Sequence, residues 1–275
     1  MDRWRTWNAQ KLPGRAVSRW VRGWVATHCG TLAGIEVHRT ACIVTHPPGG
    51  DRANDALVNP ANEQLAGTRF TPEECWKNLH GDPTTGRWDK EYATYPSQAI
   101  DGLVTEFGGD ALRIALEALP VDGEGSRCPT GGALLTPATS ELCELYKSLI
   151  HAVPPFRRGS EASDWAEKLQ RTYHSSFDVA AHRGLEALAV PLLGAGARGA
   201  SVSEAMSVAA SAAVSWRAGN ATSSGPPPLV RFGVQDSSTA HALVAALEET
   251  MTGADGFQKG SPPEVESPAG RWALS

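Results

Sequence analysis

Residues 55–67 read DALVNPANEQLAG, and this stretch decides the fold. Ala56, Leu57 and Val58 make a short apolar strand that runs directly into Asn59, Pro60, Ala61 and Asn62. A continuous apolar run bounded by turn residues suits a strand covered on both faces. Two asparagines three positions apart at such a strand end are costly to bury, because each amide must find hydrogen-bond partners. Open α/β sheets bind ligands at the carboxyl ends of their strands, so amides placed there are well set to meet ligand hydroxyls.

Strand and helix signals alternate outward from this segment. After the turn-rich Pro47–Gly50, the strand spans Asp51 to Asn59. Ala99–Leu119 carries helical periodicity, with Gly108 and Gly109 expected to kink or split it. Ala133–Leu135 and Lys147–His151 read as buried strands, and Ser163–Glu186 as an amphipathic helix with Ser163 near its N-cap. Leu188–Leu193 suits a central strand. Ser201 and Glu204 form a capping box opening an Ala-rich helix to about Arg217. Leu229–Val234 is a strand and Ser237–Thr250 a helix. This alternation predicts an α/β layered fold.

The order of motifs is more specific than any one of them. Besides the VNPAN run there are Ile100-Asp101-Gly102, then CPTGGA from Cys128 to Ala133 and LIHAVPP from Leu149 to Pro155. Ala189-Val190-Pro191 leads into the GAGARG loop from Gly194 to Gly199, and VRFGVQD closes the series from Val230 to Asp236. Together these resemble the macrodomains, the ADP-ribose-binding modules. The resemblance implies a three-layer α/β/α fold with a central mixed sheet. It covers residues 30–252 with an insertion at about 66–97, between a basic Trp-rich extension, 1–29, and a disordered tail, 253–275.

By the same resemblance, Asn62 holds the distal ribose and Asp101 lies near an attacking water. Ala61, Ala99, Ile100, the loop residues Gly194, Ala195, Gly196, Ala197, Arg198 and Gly199, and Gln235 contact the ligand. The activity implied is binding of ADP-ribose and hydrolysis of a group on its distal ribose: a protein ester, an O-acetyl group or a 1''-phosphate. The alternatives are a non-catalytic ADP-ribose reader and a macro-fold module for another nucleotide or RNA. The partner expected is ADP-ribose or an ADP-ribosylated protein, with a monomeric chain, no cofactor, no metal and no membrane.

Three departures from the family pattern bear on the ligand. Tyr95–Ala99 replaces the glycine run before Asp101, and Pro96 has no N–H to donate. Arg198 stands where an aromatic residue usually covers the distal ribose, which suits a more anionic ligand. The acid that usually reads adenine is missing near Ala41-Cys42-Ile43, leaving Gln235 and Asp236 as candidates by position.

GAGARG also matches the G-x-G-x-x-G dinucleotide fingerprint, whose glycines admit a diphosphate to a helix N-terminus. The acid that fingerprint needs about twenty residues on is absent from 216–225, which argues against an NAD enzyme. Cys75 and His80, taken with Cys128 or His151, form no trusted zinc spacing. His151 follows an apolar run and reads as a satisfied core histidine rather than a base.

Composition narrows the rest. A chain of 275 residues with net charge −5 is no electrostatic match for nucleic acid as a whole. No run reaches the length of about eighteen apolar residues that a membrane helix requires. Five cysteines without C-x-x-C spacing argue for a reducing, intracellular compartment, cytoplasmic by preference. Residues 1–28 hold six basic residues, one acid and four tryptophans, with Val17, Trp20, Val21 and Trp24 at helical spacing. That pattern fits either an organelle-import segment or an extra helix packed on the domain.

Overall fold

The computed structural model describes residues 26–67, 100–220 and 226–258. Seven strands form one sheet: β1 (Thr27–Leu32), β2 (Ile35–Arg39), β3 (Ala56–Pro60), β4 (Ala133–Pro137), β5 (Ser148–Ala152), β6 (Ala187–Val190) and β7 (Leu229–Val234). Their spatial order is β1-β2-β7-β6-β3-β5-β4. β2, β7, β6, β3 and β5 run parallel, and β1 and β4 are antiparallel edges. Among the described residues, four α-helices cover it: α1 (Ile100–Glu117), α2 (Ala162–His182), α3 (Val202–Asn220) and α4 (Ser237–Gln258). The three-layer α/β/α fold with a mixed sheet stands as expected.

The central strands read as apolar runs because both faces are buried. Their side chains alternate between two cores. Ala56 and Val58 of β3, with Leu188 and Val190 of β6, join the core under α2, α3 and α4. Leu57 and Ala189 point the other way, into the core under α1. The same alternation directs Asn59, two residues after Leu57, to the α1 face.

Asp55 fixes the start of these strands. Its carboxylate accepts from Lys147 Nζ and from the backbone N–H of Glu186, each at 2.6 Å. Burial raises its pKa, but these donors outweigh burial and hold it below the usual value.

Several elements fall where the sequence places them. α1 is kinked at Gly109, whose φ of 59° lies in the left-handed region. The hydroxyls of Thr139 and Ser140 donate to the Gly108 carbonyl at 2.8 and 3.0 Å. The capping box at α3 closes: Ser201 N and Oγ donate to Glu204 Oε2, and Glu204 N returns a bond to Ser201 Oγ.

Other expectations need correction. The strand expected from Asp51 begins only at Ala56. α2 begins at Ala162 and is capped at Glu161, so Ser163 lies inside its first turn. α4 continues past the expected boundary at 253 to Gln258, because Gly253 keeps a non-left-handed backbone and does not end the helix. The β1–β2 hairpin was not anticipated. Its turn uses Ala33 and Gly34 at φ of 44° and 77°, the geometry of a tight two-residue hairpin. The amphipathic segment 17–24, Cys75, His80 and most of the insertion lie outside the described residues.

The end of β6 is pinned by Tyr173 of α2. Its buried hydroxyl accepts from Leu193 N at 2.7 Å and lies 3.5 Å from the Pro191 carbonyl. Tyr173→Phe strands the Leu193 amide in the core, so stability should fall by about 1–3 kcal/mol in urea denaturation. An unchanged midpoint would show that the amide finds another partner.

Candidate functional site

Polar side chains converge at the carboxyl end of β3, on the α1 face. Asn59 is 1% exposed and its Nδ2 donates to Asp101 Oδ1 at 2.8 Å. Asp101 lies in the first turn of α1 and is itself buried. The helix dipole favours a carboxylate there, and the Asn59 bond gives it a fixed orientation as well.

Behind Asn59 the row continues across the sheet. Asn59 Nδ2 lies 3.3 Å from His151 Nδ1, and His151 Nε2 lies 2.9 Å from Thr136 Oγ1. Asn59 and His151 are direct cross-strand neighbours on β3 and β5. Thr136 lies diagonally across from His151 on β4, within side-chain reach. Burial pushes the His151 pKa down to about 4, so the ring is neutral near pH 7.

The third approach to the site is from the glycine loop after β6. Gly194, Gly196 and Gly199 have φ of 85°, 68° and 84°. An alanine at 194 would also put its Cβ 3.0 Å from Leu169 Cδ2. The loop closes as a short 3-10 turn, Gly196–Arg198, with Ala200 N donating to the Gly194 carbonyl at 3.1 Å. α3 starts three residues after this turn, so the loop sits at a helix N-terminus suited to anions.

Arg198 turns inward from that loop. It is only 9% exposed, and its Nη2 donates to the Ala61 carbonyl at 2.8 Å. Its Nη1 lies 3.7 Å from Glu63 Oε1 and makes no hydrogen bond. The guanidinium carbon stands 4.2 Å from the centre of the Phe156 ring, a cation–π contact. Burial lowers the Arg198 pKa, and the charges of Glu63 and Asp101 oppose that.

The expected residues divide accordingly. Ala61, Asp101 and Arg198 come together with Asn59. Asn62 turns back on its own loop, with Nδ2 donating to the Gly67 carbonyl at 2.8 Å and Oδ1 accepting from Ala66 N at 3.2 Å. Leu65, inside that loop, has φ of 54°, a conformation disfavoured for a large side chain. Ile100 begins α1, half-buried, and Ala99 lies outside the described residues. Gln235 is exposed, with Nε2 3.4 Å from the Ala41 carbonyl.

Asp236 spends its carboxylate capping α4, accepting from Thr239 N, Thr239 Oγ1 and Ser238 Oγ. Those bonds pull its pKa down to about 2. Burial pushes the Cys128 thiol up to about 11, which disfavours the thiolate a metal would need. Among the described residues, no helix is long and apolar enough to cross a membrane. Thr136, Glu63 and Phe156 were not singled out from the sequence. Asn59 was named only as part of its motif.

An open α/β sheet with buried polar groups and a glycine loop at its strand ends defines a nucleotide-type ligand-binding module. The Macro domain family model matches residues 58–209, more than half of the chain, and the chain belongs to the macrodomain family. It is similar to a protein-ADP-ribose hydrolase of Treponema medium, 26% identical over 166 residues that cover 60% of this chain and 53% of that protein. It is also similar to the non-structural polyprotein p200 of rubella virus, 42% identical over 119 residues, 42% of this chain and 6% of the polyprotein. The chain thus spans about half the length of the first relative and a small part of the second.

Among solved structures, the Oceanobacillus iheyensis macrodomain with ADP aligns at TM-score 0.56 and 15% identity, over 85% of this chain and 98% of that one. The Trypanosoma brucei macrodomain in complex with ADP aligns at TM-score 0.51 and 17% identity, over 79% and 68%. At these identities the match speaks for the fold.

His151 supplies a stability signature. Its folded pKa of about 4 lies below the 6.5 of a free histidine. The unfolded chain therefore binds the extra proton between those values, and stability is lost as pH falls from 6.5 towards 4. The loss from this one group should be on the order of 3 kcal/mol. Urea denaturation from pH 7 to pH 4 should show that component in the wild-type protein and not in His151→Asn. Identical profiles would mean that His151 is protonated in the folded state.

Proposed function

We propose that this macrodomain binds ADP-ribose, free or attached to protein, and hydrolyses a group on its distal ribose: a protein ester, an O-acetyl group or a phosphate. The observation that carries the reading is the buried Asn59–Asp101 hydrogen bond at the end of β3, within electrostatic reach of the guanidinium of Arg198. A carboxylate held in one orientation beside a ligand site can position a water and take its proton. The water oxygen bonds to the anomeric carbon or to the attached acyl or phosphoryl group. The departing oxygen leaves with a proton.

In this reading the diphosphate lies along Gly194–Gly199, where glycine backbone and the N-terminus of α3 favour anions. Ala61 and Arg198 border the distal ribose. The relatedness to a protein-ADP-ribose hydrolase agrees with this assignment.

A second reading, a non-catalytic ADP-ribose reader, draws on one observation. The Asn62 amide is committed to its own loop rather than to the cleft.

Calorimetric titration of ADP-ribose, with AMP and NAD as controls, tests the shared premise. Micromolar binding selective for ADP-ribose is expected. Turnover of an ADP-ribosyl protein ester, of O-acetyl-ADP-ribose and of the terminal phosphate ester then separates the readings. Asp101→Ala should lower kcat by about a hundredfold or more and leave the ADP-ribose Kd within a few-fold. Binding without turnover on all three substrates would establish the reader. Unchanged turnover in Asp101→Ala would remove that residue from the chemistry.

A further inference from the structure

The row Thr136–His151–Asn59–Asp101 has one consistent direction of hydrogen bonding. Asn59 turns its NH2 towards Asp101, whose carboxyl oxygen Oδ1 accepts. One of the two amide hydrogens serves Asp101 Oδ1 at 2.8 Å. The other faces His151 Nδ1 at 3.3 Å, so that nitrogen must be the acceptor. The proton of a neutral ring then sits on Nε2, from which it donates to Thr136 Oγ1 at 2.9 Å. The opposite tautomer would set Nδ1–H against the Asn59 NH2. Rotating the amide to relieve that clash would turn its oxygen on the Asp101 carboxylate. Thr136, His151 and Asn59 are 4%, 1% and 1% exposed, so water offers no easy substitute partner.

We propose that His151, with Thr136 behind it, is a positioning residue for the hydrolysis ascribed above to this site: it holds the Asn59 amide, and through that amide the Asp101 carboxylate, in the orientation the chemistry uses. This role rests on that hydrolytic reading. His151 is not itself the base. It lies behind Asn59, and its ring is neutral well below pH 7 because burial disfavours the charged form.

The test combines a spectroscopic signature with kinetics. Long-range proton–nitrogen NMR of the labelled protein should show His151 with a proton on Nε2 and none on Nδ1. His151→Leu removes the acceptor. Its kcat should fall by about tenfold to a hundredfold, while KM and the Kd for ADP-ribose stay within about twofold. His151→Asn, which returns an acceptor oxygen near the Nδ1 position, should recover most of kcat. Thr136→Val removes only the outer link and should lower kcat less.

An Nδ1–H tautomer overturns the proposal. So does a folded His151→Leu with unchanged kcat, or a folded His151→Asn no better than His151→Leu. If His151→Leu does not fold, wild-type kcat in Thr136→Val overturns it. Wild-type protein without turnover on any of the three substrates defeats the hydrolytic reading and this role together. Turnover that is indifferent to His151 defeats only the role.

Discussion

The Asn59 amide joins the sheet to the helix that carries the Asp101 carboxylate. β3 and β5 supply Asn59 and His151 from one strand pair, and α1 supplies Asp101 from the opposite layer. A polar row inside an apolar core requires its donors and acceptors to pair, because an unpaired buried polar atom is costly. Here Asn59 Nδ2, both His151 nitrogens and Thr136 Oγ1 pair, while Asn59 Oδ1 is left without a partner among the described residues. That requirement makes the row a constraint on the fold. A shift of β3 by one residue would turn Asn59 into the core under α2 and α3 and leave Asp101 without it. The same register that buries Leu57 therefore fixes the site.

Much of the fold was legible because its signals are local. The apolar runs at 56–58 and 188–190 needed burial on both faces, and they became central strands. The Ser201/Glu204 box and the Gly108–Gly109 pair declared a helix start and a kink through backbone requirements that act within a few residues. The β1–β2 hairpin was less legible. β1 is an antiparallel edge strand containing His28, Cys29 and Gly30, and half-exposed pairing leaves little hydrophobic pattern to read.

The site was legible as a set of residues and not as a set of contacts. Asn59 and Asn62 look equivalent in sequence, three apart and flanking Pro60. The pleat of β3 separates them. Asn59 is still in the strand and shares the face of Leu57, whereas Asn62 lies beyond the strand end and closes a turn with Ala66 and Gly67. Asp236 shows the converse: its position suggested a ligand contact, but the start of α4 demands a cap, and three nearby donors take the carboxylate first. His151 was correctly read as a core residue. What its sequence neighbourhood could not convey is that its two ring nitrogens face Asn59 and Thr136, contacts made by strand pairing.

Arg198 gives the site its electrostatic character. A guanidinium buried against Phe156 loses most of its hydration, and the carboxylates of Glu63 and Asp101 compensate only in part, since Nη1 is left without a hydrogen bond. The cation is kept because it also ties two loops together, from the glycine turn to the Ala61 carbonyl after β3. Where an aromatic side chain would cover a sugar by contact alone, this arginine adds a charge and an unmet donor. An anionic oxygen on the ligand would complete the coordination that Glu63 supplies at 3.7 Å, whereas a neutral hydroxyl would leave the cation short of countercharge. In the proposed reading, the substitution would shift the preference beside the distal ribose from the shape of the sugar towards the charge of what it carries.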